Sequence, residues 1–61
     1  MNRELRAADS DRERVVERLR RAVGEGRLTI DEFEERAAAA YAARTYGELD
    51  ILIADLPRDL W

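Results

Sequence analysis

Apolar residues recur at helical spacing in three separate stretches of the chain, each bounded by residues that start or stop helices. Amphipathic helices of this kind bury their apolar faces against one another when the connections between them are short. The sequence therefore predicts an all-α fold, a small three-helix domain. The residues expected on the buried faces are, in chain order, Val15, Val16, Leu19, Ala22 and Val23; Ile30, Phe33, Ala37, Ala40 and Tyr41; and Leu49, Leu52, Ile53 and Leu56.

Each predicted helix start is marked by a hydroxyl residue that is followed three positions later by a glutamate. In such a capping box the hydroxyl accepts a hydrogen bond from a first-turn amide, and the glutamate accepts one from the amide of the capping residue. Together with a glycine-rich stop after the first helix and Pro57 after the third, these pairs predict helices at about 11–24, 30–44 and 46–56. The predicted structural caps are Ser10 with Glu13, Thr29 with Glu32, and Thr45 with Glu48.

The chain divides into three parts by composition. Residues 1–9 form a charged N-terminal arm with Leu5 as its expected apolar anchor, residues 10–57 form the three-helix domain, and residues 58–61 form a C-terminal tail. No apolar run approaches the ~20 residues that a membrane-spanning helix needs. We therefore expect no direct membrane insertion and a cytoplasmic location.

The composition disfavours catalysis. The chain has 61 residues, no histidine and no cysteine, so the usual proton shuttle and several common metal ligands are missing. Every serine and threonine is assigned to a cap, and a domain of this size offers little cleft in which paired carboxylates could acquire different pKa values. We expect no enzyme activity, no catalytic residue, no metal site and no cofactor.

Residues 26–33 look like the second half of a calcium-binding EF-hand loop, because a glycine and an apolar residue precede Glu32 and Phe33. In that alignment Arg21 would take the first ligand position and Val23 the third, so essential oxygen ligands are missing. A turn followed by a capped helix explains the same residues without a bound ion.

Charge is unevenly distributed along the chain. The formal net charge is −3, yet residues 1–27 contain eight arginines and six acidic residues, whereas residues 28–61 contain three arginines and eight acidic residues. The two halves should attract each other, within one molecule or between two. The arginines of helix one raise the alternative of a DNA-binding or regulatory module, but interleaved acidic residues make nucleic acid a disfavoured partner. These arginines are Arg12, Arg14, Arg18, Arg20 and Arg21.

Several residues outside the predicted buried faces are candidates for an interface. Ile51 lies about 200° around helix three from Leu49, so its side chain should point toward solvent. Exposed aromatic and apolar residues of this kind are enriched in protein–protein interfaces. For Trp61, folding back onto the small core as a lid is an equally good interpretation. The candidate interface consists of Ile51, Tyr46, Leu60, Trp61, Arg14, Arg18 and Arg21.

A longer pattern runs through the caps, turns and buried positions. Its segments are Ala8-Asp9-Ser10-Asp11-Arg12-Glu13-Arg14, Leu19, Gly26-Arg27-Leu28-Thr29, Glu32-Phe33, Glu35-Arg36, Ala42-Ala43-Arg44-Thr45-Tyr46-Gly47-Glu48-Leu49 and Ala54-Asp55-Leu56-Pro57. In this order the segments resemble the SHOCT-like domain of unknown function. The resemblance covers about residues 7–57, which is most of the chain.

The resemblance implies a shared fold more than a shared chemistry. The family is widespread at the N-terminus of actinobacterial proteins, many of them membrane-associated, in which the module precedes a linker and transmembrane helices or an envelope-stress type domain. It therefore implies a cytoplasmic interaction or oligomerisation module that is membrane-tethered in a longer parent protein. This chain departs from the pattern by ending at Trp61 without a membrane segment and by carrying Ile51 where the family often has a small residue.

Within the matched motif, Arg44 and Asp55 are expected to form a structural ion pair between the ends of helices two and three. Taken together, these observations predict a non-catalytic protein–protein interaction or oligomerisation module. Its expected partner is a protein, including a second copy of the chain in a homo-oligomer. The alternative is a DNA-binding or transcription-regulatory module that uses the arginine-rich first helix.

Overall fold

The computed structural model describes residues 3–57 of the chain. In this part of the chain α1 spans Asp9–Gly24, α2 spans Ile30–Ala42 and α3 spans Tyr46–Ile53. Each helix packs against the other two. The predicted all-α fold is confirmed, and the same residues contain no strand, only an isolated antiparallel bridge between Arg6 and Thr45.

The core is built mainly from one face of α1. Val16 and Leu19 are almost completely shielded from solvent, and Leu49 of α3 and Leu28 of the α1–α2 connection close the core around them. Helix α2 contributes small residues to this core, so its backbone can approach α1 and α3 closely. The buried residues are Val15, Val16, Leu19, Ala22, Leu28, Ala37, Ala40, Ala43 and Leu49.

The buried face of α2 differs from the predicted one. Ile30 and Tyr41 were expected in the core, but they are 65% and 53% exposed. They lie near opposite ends of α2 and about 20° from each other around the helix, and the buried Ala37 between them lies only about 20–40° away. These two large side chains therefore lie on one stripe at the edge of the buried face, and they are exposed because they lie at the ends of the helix, where the core does not cover them.

The first predicted cap is wrong. Helix α1 begins at Asp9, so Ser10 lies inside its first turn and Ala8 is the N-cap. Asp11 replaces the predicted glutamate, because its Oδ2 accepts a hydrogen bond from the Ala8 N–H at 2.8 Å. This bond, followed by one from Tyr46, lowers the pKa of the Asp11 carboxyl. Asp11 thus caps the helix that Ser10 and Glu13 were expected to cap.

The capping box of α2 is confirmed. The Glu32 N–H donates to Thr29 Oγ1 at 3.1 Å, and the Thr29 N–H donates to Glu32 Oε1 at 2.8 Å. These bonds to Thr29 lower the pKa of the Glu32 carboxyl. The donors and acceptors of this box belong to Thr29 and Glu32, so residues close in sequence determine where α2 starts.

The third capping box forms with a shifted partner. The Glu48 N–H donates to Thr45 Oγ1 at 3.3 Å, as expected for the cap of α3. The Glu48 carboxylate accepts from the Arg44 N–H at 3.1 Å and from the Thr45 hydroxyl at 3.2 Å. The Glu48 carboxylate therefore accepts from the amide of Arg44, whereas the predicted box requires the amide of Thr45.

Two helices end earlier than the sequence predicts. Helix α2 ends at Ala42 rather than 44, because Ala43 is buried in an extended conformation with φ −67° and ψ 140°. Helix α3 ends at Ile53 rather than 56, and a turn follows in which the Leu56 N–H donates to the Ile53 carbonyl at 3.1 Å. Pro57 comes directly after this turn and disfavours helical geometry at the preceding residue.

Residues 3–7 form a strap that runs along the α2–α3 connection, and we call them the N-terminal strap. The Ala7 N–H donates to the Arg44 carbonyl at 2.9 Å, and the Tyr46 N–H donates to the Leu5 carbonyl at 3.0 Å. The Gly47 N–H also donates to a strap carbonyl, that of residue 3, at 3.0 Å. Amides in the first turn of a helix have no partner within the helix, so the strap completes the start of α3.

The strap does not dock through the predicted anchor. The Leu5 side chain is 50% exposed, and the strap docks instead through its backbone hydrogen bonds, through Ala7 against the core and through the Arg3 guanidinium, which donates to the Gly47 carbonyl at 3.4 Å. Gly47 permits this approach, because a Cβ atom there would lie 3.1 Å from the Arg3 carbonyl oxygen and 3.2 Å from the Arg3 Cβ. The glycine is thus explained by close packing of the strap on α3.

Candidate functional site

A cavity of about 210 Å³ lies between the end of α1 and the turn that follows α3. Three arginines line it, Arg18 and Arg21 from α1 and Arg27 from the α1–α2 connection. Guanidinium groups bind carboxylates and phosphates through paired, charge-assisted hydrogen bonds. We call this feature the arginine-lined cavity.

The remaining wall of the arginine-lined cavity is apolar apart from Glu25. Ala22, Leu56 and Pro57 form its apolar part. Glu25 accepts a hydrogen bond from Arg27 Nε at 3.1 Å, an ion pair whose two side chains are each half exposed. The cavity therefore suits an anionic group that is attached to an apolar one.

Arg18 also joins two parts of the fold. Its Nη2 donates to the Pro57 carbonyl oxygen at 3.1 Å, which ties α1 to the segment after α3. Arg14, Arg18 and Arg21 follow the i, i+4, i+7 spacing and so share one stripe of α1. The structure therefore places these three predicted interface residues together, with Arg18 half-buried and the other two exposed.

The other arginines of α1 have roles within the domain. Arg12 Nη1 donates to the Ala7 carbonyl at 3.0 Å. Arg20 pairs with Glu17 at 2.6 Å, and its guanidinium carbon lies 6.0 Å from the centre of the Phe33 ring. Both side chains therefore stabilise the surface of the domain itself.

Tyr46 was predicted as part of an exposed apolar patch, but the structure gives it a different position. Its side chain is half-buried, and its hydroxyl donates to Asp11 Oδ2 at 2.9 Å. The adjacent carboxylate raises the pKa of the Tyr46 hydroxyl. Tyr46 thus links the start of α3 to the start of α1.

Of the other predicted patch residues, Ile51 is described by the structure. It is 65% exposed on α3, which confirms the predicted exposure. Leu60 and Trp61 lie outside the described residues.

The predicted ion pair between Arg44 and Asp55 is wrong. Asp55 pairs instead with Arg36 of α2, through Nη1–Oδ1 and Nη2–Oδ2 distances of 2.7 and 2.9 Å. Arg44 precedes α3 and Asp55 follows it, so the length of the helix, about 12 Å for eight residues, separates them. Arg36 Nη1 also donates to the Leu52 carbonyl at 3.0 Å. The hydrogen bonds that Arg36 donates to Asp55 lower the pKa of the Asp55 carboxyl.

Sequence reasoning missed the exposed stripe of α2 and the place of Arg27 in the cavity. The spacing of Ile30 and Tyr41 places them on one side of α2, because residues eleven apart lie almost directly above one another on a helix, but their exposure follows from their positions at the two helix ends. The sequence carries no comparable signal for the cavity, since its wall depends on how residues 56–57 pack against α1.

Residues 3–57 lack two kinds of feature. No group of three or more histidine, cysteine, aspartate or glutamate residues there could hold a metal ion. Among the helices described, none is long and apolar enough to cross a membrane.

The chain is similar to a known domain family and to proteins of Mycobacterium tuberculosis. A model of the DUF1707 SHOCT-like domain matches residues 5–57. Uncharacterized protein Rv0966c of Mycobacterium tuberculosis is 52% identical over 52 residues, which is 85% of this chain and 26% of that protein. Uncharacterized protein Rv0048c of the same organism is 45% identical over 51 residues, 84% of this chain and 18% of that protein. No solved structure gives a significant match.

Proposed function

We propose that this chain, which belongs to the DUF1707 SHOCT-like domain family, is a non-catalytic protein–protein interaction module. The observation that carries the proposal is the exposure of three large apolar side chains, Ile30 and Tyr41 on one stripe of α2 and Ile51 on α3. Exposed aromatic and apolar residues are typical of the centres of protein interfaces.

The relatives support a modular role. The chain spans about a quarter of the length of Rv0966c and less than a fifth of Rv0048c. A small domain repeated in longer proteins of different length is typical of a module that recruits or pairs the rest of the chain. We propose a cytoplasmic position for it, at the head of a membrane-associated parent protein.

The carboxyl groups with shifted pKa values support a non-catalytic role. Asp11, Glu32 and Asp55 all have lowered pKa values, and the causes are two helix starts and one ion pair. A catalytic acid or base at neutral pH needs a pKa moved toward 7 in a cleft. The shifts in the described part of the chain therefore follow from folding contacts.

The apolar residues can be tested together. We expect the triple variant Ile30→Ser/Tyr41→Ser/Ile51→Ser to lose association that the wild-type chain shows in light scattering over a range of concentrations. The exposed Ala38 offers a matched control, Ala38→Ser, which should associate like the wild type. Circular dichroism would verify that each variant keeps its helices.

A foreign partner needs a second measurement. Proteins retained from an actinobacterial lysate by the immobilised wild-type chain and by the Ala38→Ser control should be lost with the triple variant. The proposal would be contradicted by a wild-type chain that is monomeric throughout and retains the same proteins as the triple variant.

The second candidate function is nucleic-acid binding through α1. The exposed Arg14 and Arg21 on one stripe of the helix favour it, but Glu13 and Glu17 are exposed on the same helix. Binding of this kind relies on neutralising phosphates and weakens steeply with salt. An electrophoretic mobility assay at low salt tests it, and the absence of retardation would reject it.

A further inference from the structure

We propose that the arginine-lined cavity of one copy accepts the start of α2 from a second copy of the chain. The inference rests on the proposed function and names its partner and contact. The incoming surface consists of Ile30, Asp31, Glu34 and Glu35, and we call it the acidic edge. Its carboxylates would pair with the cavity arginines while Ile30 packs on the apolar wall.

The acidic edge has the chemistry that the cavity suits. All four of its side chains are exposed, and Ile30 is 65% exposed. An exposed apolar side chain among carboxylates matches a cavity in which guanidinium groups surround Leu56 and Pro57. Charge complementarity and apolar contact therefore act at the same place.

The acidic edge and the cavity of the same molecule are separate surfaces. Within the described residues the cavity wall comes from α1, the α1–α2 connection and the turn after α3, and α2 contributes nothing to it. The acidic edge of the same molecule is held on the rigid first turns of α2, which the complete Thr29 capping box fixes. The edge does not line the cavity of its own molecule, so in the proposed contact it enters the cavity of another copy.

The proposed contact joins two different surfaces. A heterologous contact of this kind closes into a ring or continues as an open chain, depending on the rotation between copies. Exposed ion pairs contribute little each and are screened by salt, so we expect weak association that depends on ionic strength.

The two unlike surfaces permit a complementation experiment. The cavity variant Arg21→Gln/Arg27→Gln keeps an intact acidic edge, and the edge variant Asp31→Asn/Glu34→Gln keeps an intact cavity. We expect each variant alone to associate about tenfold more weakly than the wild type in sedimentation velocity at low salt. An equimolar mixture should form a one-to-one complex, because one native contact remains available between the two variants.

Matched controls separate this contact from a general effect of charge. Arg6→Gln/Arg44→Gln removes the same positive charge from exposed residues elsewhere, and Glu13→Gln/Asp50→Asn removes the same negative charge. Both controls should associate like the wild type. Circular dichroism and melting temperature would establish that all four variants are folded.

The outcomes distinguish this inference from the proposed function. If the cavity and edge variants each lose association and the mixture recovers it, the result supports both the inference and the proposed function. Wild-type association that the cavity and edge variants leave unchanged overturns the inference and keeps the interaction role, because another surface must then be used. A wild-type chain that stays monomeric also overturns the inference, whereas the role in binding a foreign protein is decided by the triple apolar variant.

Discussion

The two ends of this small domain are built differently. At one end the N-terminal strap, the start of α1 and the start of α3 are joined by hydrogen bonds between residues far apart in sequence, such as Tyr46 to Asp11. At the other end the finish of α1, the α1–α2 connection and the turn after α3 surround the arginine-lined cavity. We call these the strap end and the cavity end.

The difference suggests that stability and binding are separated in space. The strap end uses polar groups to satisfy one another, so substitutions there should change the free energy of unfolding. At the other end Ile30 is exposed and Arg21 and Arg27 line a cavity, so we expect substitutions of these residues to change association more than stability. Caps and ion pairs should contribute to stability at either end, whereas the exposed side chains of the cavity end should not.

The largest effect is expected from Gly47→Val. A Cβ at this position would lie 3.1 Å from the Arg3 carbonyl oxygen, and the larger valine would push the strap away from α3. We expect a loss of about 2 kcal/mol in the free energy of unfolding, as for overpacking of a close contact. Urea denaturation measures it, and hydrogen exchange should show the α3 amides losing protection.

Gly24→Val provides the matched control, because a Cβ at Gly24 meets nothing within 4 Å. Gly24→Val should lower the free energy of unfolding clearly less than Gly47→Val does. Equal losses for the two variants would show that the strap does not constrain α3.

A smaller effect is expected from removing the cap of α2 with Thr29→Ala. The substitution leaves the Glu32 N–H without its acceptor and should cost about 1 kcal/mol. Thr45→Ala should cost less, since strap carbonyls still satisfy the Tyr46 and Gly47 amides. Denaturation of both variants tests this order, and a larger loss for Thr45→Ala would reject it.

The Arg36–Asp55 pair should contribute modestly to the melting temperature. We expect Asp55→Asn and Arg36→Gln each to lower it, and the double variant to lose less than the sum of the two. Arg44→Gln serves as the control and should leave the melting temperature unchanged. The assignment of Arg36 as the partner would be wrong if the melting-temperature losses of Asp55→Asn and Arg36→Gln were additive in the double variant while those of Asp55→Asn and Arg44→Gln were not.

The smallest effect is expected from pH. The pKa of Asp11 is lowered in the folded protein, first by the Ala8 amide and then by the Tyr46 hydroxyl. The stability that this shift provides is present above the unfolded pKa near 4 and is lost as the pH falls through the lowered, folded value. Tyr46→Phe should therefore reduce the melting temperature at pH 7 and make it less sensitive to acid. An unchanged acid profile would argue against the hydrogen bond.

The fold could be predicted from the sequence because its main signals are local. Apolar periodicity gives the number of helices, and the core positions Val16, Leu19 and Leu49 lie where that periodicity places them. The Thr29 box was predictable for the same reason, because its donors and acceptors are neighbours in sequence.

The errors arise where distant residues compete with local signals. Asp11 caps α1 in place of Ser10, and it also accepts from Tyr46, which lies 35 residues away. The strap was not foreseen because backbone carbonyls have no sequence signature, and Gly47 alone marks its contact. The error over Arg44 and Asp55 was avoidable from the sequence, because the predicted third helix already separates the two residues, whereas the cavity depends on where Pro57 comes to lie.

The central claim is that the cavity end associates with another copy of the chain through charge. Sedimentation equilibrium of the wild-type chain over a range of concentrations tests it most directly. At low salt the average mass should rise with concentration above the 7.1 kDa of one chain, and in high salt it should return toward that value. A mass that stays at 7.1 kDa at every concentration would contradict the claim.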